Sequence, residues 1–305
     1  MDDFVLPISL AFPIVTFVII AALLVFTTVV LMLFIYYWNK PSIKATSPYL
    51  SALILAGCYM VYTGTLISSA REILDPKLFG PMCQAEVWFT ATGVQLIYST
   101  LFMRLLRIYR LFFFIFETHG KFWSDQVMIV TSFIPVSITI LLLILWSILD
   151  PASSGYAVPL SGQTNEFPYV TVNCGENFGI WAAAIIFGVN GVTIVAVAFL
   201  AVLTRKVHLN NFRDSKQVNL FVFSTVICLC TWFPYALTFV ETIPIPEAAY
   251  CFSVFPYLVV PFLCKVFLFV PKIWLSRHER RTIRSRKSNR SKIQVFSYNA
   301  KKPSH

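Results

Sequence analysis

The sequence predicts an all-α fold: a bundle of seven transmembrane helices with the N-terminus outside and the C-terminus in the cytoplasm. Three observations carry this expectation. Charged residues make up 12% of the 305-residue chain and hydrophobic ones 57%, about half the roughly 25% charge of a soluble globular domain. Seven stretches each supply the ~20 apolar residues that a helix needs to cross a bilayer. The basic residues between those stretches fall almost entirely on one side.

The spans are read at 8–37, 48–70, 83–112, 127–149, 178–204, 217–241 and 247–274. The first, from Ile8 to Tyr37, is too long and too weakly basic at its front for a cleaved signal peptide, so it reads as a retained span. Ser47-Pro48 opens the second as an N-cap followed by proline at the first helical position, where a missing N–H costs nothing. Asp214, with Gln217 three residues on, resembles a capping box ahead of the sixth. Pro246-Glu247 opens the seventh in the same way as Ser47-Pro48. Pro135, Pro234, Pro256 and Pro261 lie inside spans, where each breaks the hydrogen-bond ladder and permits a kink. The chain divides into three regions: a short extracellular N-terminus at 1–7, a seven-span domain at 8–275 and a basic cytoplasmic tail at 276–305.

Orientation comes from the loops. Lys40 and Lys44 lie in the first connection, Arg104, Arg107, Arg110 and Lys121 around the third, and Arg205, Lys206, Arg213 and Lys216 in the fifth. Eleven more lie from Lys272 onward, so 21 of the 24 Lys and Arg residues share one face. Arg71 and Lys77 lie on the other, and Lys265 lies inside the last span. Loops rich in Lys and Arg stay cytoplasmic. The formal charge of +10 is therefore a topology signal and an anchor for anionic membrane lipid, and no nucleic-acid partner is expected.

Catalytic chemistry does not assemble. His119, His208, His278 and His305 all fall in cytoplasmic segments, away from any membrane-depth cluster that a hydrolase or metal site needs. No phosphate-cradling glycine loop is present. The expectation is no enzyme, no cofactor and no metal. A small-solute transporter remains an alternative reading, although the repeats and polar broken helices at the midplane that it would favour are not legible. Lys265 lies seven residues, about 10 Å along a helix, inside Lys272. A lysine at that depth can carry a retinal Schiff base, snorkel to the interface or pair inside the bundle. Cys58, Cys228, Cys230 and Cys264 fall within spans and read as small buried hydrophobes, whereas Cys83, Cys174 and Cys251 fall at the oxidising outer boundary.

Several local strings share one resemblance. Phe269-Val270-Pro271-Lys272 matches a Phe-x-Pro-Lys signature that closes the seventh span of class C (family 3) G-protein-coupled receptors. Ile43-Lys44-Ala45-Thr46-Ser47-Pro48-Tyr49-Leu50 with Leu55-Ala56-Gly57-Cys58 is similar to that family's first inner loop and second span. Cys83 with Trp88, Asp150-Pro151 and Asn211-Phe212-Arg213-Asp214-Ser215-Lys216 come in the family's order. The chain thus resembles the metabotropic GABA type B branch of class C receptors.

The resemblance implies a receptor that transmits a conformational signal to a heterotrimeric G protein. It implies a disulfide from Cys83 to Cys174 that ties down the 150–177 loop, and an inactive-state ionic lock between Arg104 and Asp214. It places Lys44, Arg107, Arg110, Arg205, Lys206, Lys216 and Lys272 on the G-protein-facing side and Trp232 at the transmembrane cavity. A small-molecule ligand of unknown identity and a homo- or heterodimer with another class C receptor are further expectations, at the plasma membrane. The family's large extracellular ligand-binding domain has no counterpart, since only about seven residues precede the first span. That leaves a fragment of a longer product, a receptor sensing through the bundle, or a partner-dependent or non-signalling subunit.

Overall fold

The computed structural model describes residues 11–40, 43, 47–71, 79–113, 125–149, 154–156, 172–174, 179–204, 217–230, 246–274 and 277. All seven expected spans hold a helix: α1 Ala11–Tyr36, α2 Pro48–Arg71, α3 Phe79–Phe113, α4 Asp125–Leu149, α5 Gly179–Thr204, α6 Gln217–Cys230 and α7 starting with Pro246–Cys264. Helix α7 continues through a π-helical turn, Lys265–Phe269, to Trp274.

Among the described residues α1, α2, α4 and the Val254–Trp274 part of α7 are each long and apolar enough to cross a membrane. Helix α3 has 35 residues, about 50 Å of helix. It carries Glu86 near its start and Arg104, Arg107 and Arg110 near its end, and its middle is buried.

The surface explains why so apolar a chain needs lipid. Val18, Val25 and Met32 of α1, Val130, Ile134, Leu141 and Ile148 of α4, and Val192, Val195 and Phe199 of α5 all point outward and are exposed. Hydrocarbon accepts such faces, provided that backbone N–H and C=O groups are satisfied within the helices. Helices α2 and α3 form the middle of the bundle. Helix α2 packs on α1, α3 and α7, and α3 packs on α2, α4 and α5. The main core lies around them, with Phe34, Ile54, Cys58, Val61, Ile97, Leu101, Val197, Phe221, Val260 and Leu268 all buried.

The α2–α3 seam is close because glycines face each other. A Cβ on Gly57 would stand 2.9 Å from the Gly93 carbonyl oxygen and 2.7 Å from Ile97, and one on Gly93 would stand 2.9 Å from the Gly57 carbonyl oxygen. Small residues let membrane helices approach to backbone contact, where van der Waals packing supplies the association that hydrophobicity cannot.

One short sheet interrupts the helices. Strands β1 (Ser154–Tyr156) and β2 (Val172–Cys174) pair antiparallel with Ser154 opposite Cys174, and β2 packs against α3. The bundle therefore has a ribbon end and a basic end, the latter where α3 and α7 finish and α2 begins.

Candidate functional site

At the basic end, α3 sends its arginines back toward the start of α2. Arg104 is 5% exposed and donates through Nη2 to Ser51 Oγ. Three residues on, and so on the same helical face, half-buried Arg107 donates through Nη1 to Ser47 Oγ. Arg110, one further turn along, is exposed. A buried guanidinium must have its donors engaged, since each charged group left unsatisfied costs several kcal/mol. The two serines supply part of that engagement.

Ser47 itself is unusual. Its φ is 52°, the left-handed region that costs a non-glycine residue ~1–2 kcal/mol. Its carbonyl oxygen accepts the first helical bond, from Ser51 N–H at 3.3 Å, as an N-cap should. Its hydroxyl serves Arg107 of a different helix.

Helix α7 closes the same end. Phe269 packs edge-on against Phe34 of α1 with ring centroids 5.7 Å apart, and Lys272 is 6% exposed. The resemblance puts Lys272 on the G-protein-facing side; in the structure its side chain is buried.

Deeper in the bundle, Lys265 is completely buried. Its Nζ donates to Thr27 Oγ1 of α1 at 2.6 Å and to Tyr62 Oη of α2 at 3.0 Å, and stands 4.2 Å from the Tyr62 ring centroid and 5.2 Å from that of Phe26. Of the three sequence readings for this lysine, the structure shows pairing inside the bundle.

Nearer the ribbon end, Cys83 is buried in the first turns of α3 and is disulfide-bonded. Cys174 ends β2, and its side chain lies outside the described residues, as does that of Cys251. Across the α3–α5 seam, Gln95 Nε2 donates to Thr193 Oγ1 at 3.0 Å; within α5, Asn190 Nδ2 donates to the Ile186 carbonyl one turn back at 3.1 Å. The carbonyl oxygens of both amides are buried without a partner among the described residues. Such acceptors ask for a donor from water or a small polar ligand.

Asp214, Lys44, Arg205, Lys206, Lys216 and Trp232 lie outside the described residues. Sequence reasoning missed Ser47 and Ser51 as arginine partners and Thr27 and Tyr62 as lysine partners. A serine or threonine in a helix usually bonds its own backbone one turn back, as Thr27 also does to the Leu23 carbonyl, so its type alone does not announce a contact between helices. No group of three or more His, Cys, Asp or Glu residues that could hold a metal occurs among the described residues.

The family described as "7 transmembrane sweet-taste receptor of 3 GCPR" matches residues 6–272. Gamma-aminobutyric acid type B receptor subunit 2 of Caenorhabditis elegans is 26% identical over 196 residues, 63% of this chain and 23% of that protein. The subunit 2 of Rattus norvegicus is 23% identical over 243 residues, 77% of this chain and 25% of that protein. Metabotropic glutamate receptor 4 of Mus musculus is 25% identical over 218 residues, 68% of this chain and 22% of that protein. The chain thus spans about a quarter of the length of these relatives.

Proposed function

Since the chain belongs to the family 3 (class C) seven-transmembrane receptors, we propose that it passes a conformational signal through its helices to a heterotrimeric G protein at the basic end. The observation that carries this reading is the buried Arg104 at the foot of α3, held to α2 through Ser51. A buried cation with hydrogen-bond partners on a neighbouring helix is the kind of contact that can differ between two packings of a bundle.

In this reading the basic end is cytoplasmic and the ribbon end outside, following the distribution of Lys and Arg. Asp214 pairs with Arg104 in the resting receptor. An arginine in such a pair is always charged and can bind a carboxylate with two parallel bonds. Lys44, Arg107, Arg110, Arg205, Lys206, Lys216 and Lys272 form the basic surroundings of the G-protein surface, with Arg107 and Lys272 partly or wholly turned inward until the bundle rearranges. The disulfide of Cys83 runs to Cys174, a pairing supported by the packing of β2 on α3. The two orphan amide oxygens of Gln95 and Asn190 receive donors from a small-molecule ligand, for which the family resemblance names Trp232 as a further contact.

The similarity to type B receptor subunits favours a GABA-B-like branch and a partner subunit of the same class. A second reading keeps the membrane location and drops autonomous signalling: a subunit that works only beside such a partner.

Ligand-independent nucleotide exchange on a panel of Gα subunits tests both, comparing wild type with Asp214→Ala, alone and co-expressed with a class C receptor. Raised exchange in Asp214→Ala alone supports the autonomous receptor. Exchange that needs the partner supports the subunit reading. None in any combination, with correctly inserted protein, overturns the signalling role.

A further inference from the structure

We infer that Lys265, Thr27 and Tyr62 form a clamp that fixes the rotation of the basic end of α7 through the adjoining π-helical turn. The consequence for signalling rests on the receptor reading above, whereas the clamp does not.

The π turn comes first. Val270 N–H bonds to the Lys265 carbonyl, five residues back rather than four. An α-helix advances by roughly 100° per residue, so a turn that absorbs one extra residue displaces everything after it by about that angle. The face of α7 that packs at the basic end lies at and beyond this turn: Leu268 and Phe269, both buried, and Lys272. With an uninterrupted α-helix below Lys265, Phe269 would leave the Phe34 ring and Lys272 would swing to another face. One segment thus has two hydrogen-bonding patterns that present different surfaces.

The clamp holds one of them. A lysine amine has three donors and no acceptor, and a fully buried one is tolerated only where its donors are engaged. Here two are engaged at hydroxyls on two other helices. Both hydroxyls are poised to accept. Thr27 spends its own proton on the Leu23 carbonyl at 2.6 Å, and Tyr62 directs its proton toward the Leu258 carbonyl of α7 at 3.4 Å. Tyr62 therefore grips α7 at two levels, about two turns apart, with the first residue of the π turn at the lower one. Pro261, between those levels, removes one backbone N–H from the ladder and leaves this part of α7 easier to deform. The site is not arranged for Schiff-base chemistry, because the nitrogen is sealed in and spends its protons on two neighbours.

Cross-linking of Phe34→Cys to Phe269→Cys with a short bis-methanethiosulfonate reads the rotation, since the two rings meet and the spacer supplies the reach that two cysteine side chains lack. A second pair, Trp88→Cys with Ser147→Cys, bridges α3 and α4 where Trp88 Nε1 donates to Ser147 Oγ at 3.0 Å and serves as control. Membranes are treated with the cross-linker and the cross-links mapped by mass spectrometry. Adding Thr27→Val, which removes one hydrogen bond to a charged group, is expected to slow the α1–α7 cross-link by about tenfold or more. Lys265→Met and Tyr62→Phe, which each remove two bonds, are expected to slow it at least as much, and all three leave the control pair unchanged. Thr27→Ser keeps the acceptor and the wild-type rate.

An unchanged α1–α7 rate in these variants, or an equal loss in Thr27→Ser or in the control pair, overturns the clamp. If Lys265→Met fails to insert, Thr27→Val and Tyr62→Phe decide the matter alone. Exchange on Gα is scored separately. A slowed cross-link in protein that never activates a G protein leaves the clamp standing and removes the receptor reading.

Discussion

The α2–α3 seam and helix α7 are both buried against the middle of the bundle, yet they are held by opposite means. The seam is a meeting of backbones: Gly57 and Gly93 leave no room for a methyl group, and the arginines of α3 add bonds to serines at the start of α2. Helix α7 also buries Val260, Cys264 and Leu268 in the core, but it carries Pro256 and Pro261 and a π turn, and its polar ties to α1 and α2 run through Lys265 and Tyr62 beside the Phe34–Phe269 contact. Close backbone packing is dispersed over many atoms and resists change as a block. Side-chain ties can be released one at a time. On the receptor reading proposed above, the difference makes α2 and α3 the scaffold and α7 the part that moves.

The comparison breaks most completely at the seam. Gly57→Leu forces a side chain into Ile97 and the Gly93 backbone, and overpacking costs ~1–3 kcal/mol even where neighbours can shift. Here backbone must shift, so the expected outcome is loss of folded protein, seen as loss of a monodisperse peak in detergent and of a cooperative thermal transition. A Gly57→Leu variant that melts like wild type would show that the seam is looser than its geometry. Next in size is Ser51→Ala, which takes an acceptor from buried Arg104 and should lower stability by about 1–3 kcal/mol. Thermal unfolding in nanodiscs measures it, and Ser51→Thr, which restores a hydroxyl, should recover most of the loss.

The scaffold was more legible than the movable part, for a physical reason. A span must be long and apolar to exist in lipid, so all seven helices could be located from composition along the chain, with ends displaced by a few residues where they are described; the expected end of the sixth lies outside the described residues. The basic end was legible too, because arginines cluster where α3 leaves the bilayer. The depth of Lys265 could be counted from Lys272. Its partners could not, since Thr27 and Tyr62 lie 238 and 203 residues away in sequence and are ordinary helix residues by type. Nothing in the pattern of α7 announced a π turn, which is a choice of hydrogen-bond partner that tertiary contacts settle. The β1–β2 ribbon escaped notice because three-residue strands are too short to show an alternation. Ser47 was legible as the N-cap it is, but its conformation was not: an N-cap usually has extended backbone, whereas this residue is left-handed and its hydroxyl serves another helix.

That last residue gives the smallest test and the one that separates two effects at a single position. Ser47→Ala removes the acceptor for Arg107 and keeps a Cβ in the left-handed region. Ser47→Gly removes the same acceptor and relieves the Cβ, worth ~1 kcal/mol at a position of positive φ. Arg107 is only half-buried, so water can replace part of the lost bond, and the cost of Ser47→Ala should be about 1 kcal/mol. Ser47→Gly should then lie close to wild type in thermal stability, with the difference between the two variants reporting backbone strain and N-cap preference net of the extra unfolded-state freedom of glycine. If both fall equally, the left-handed conformation carries no strain there and the serine matters only as a hydroxyl. If glycine is the more stable even against wild type, the chain keeps a serine at a cost in stability, and the bond to Arg107 is then selected for the packing it enforces between the start of α2 and the foot of α3.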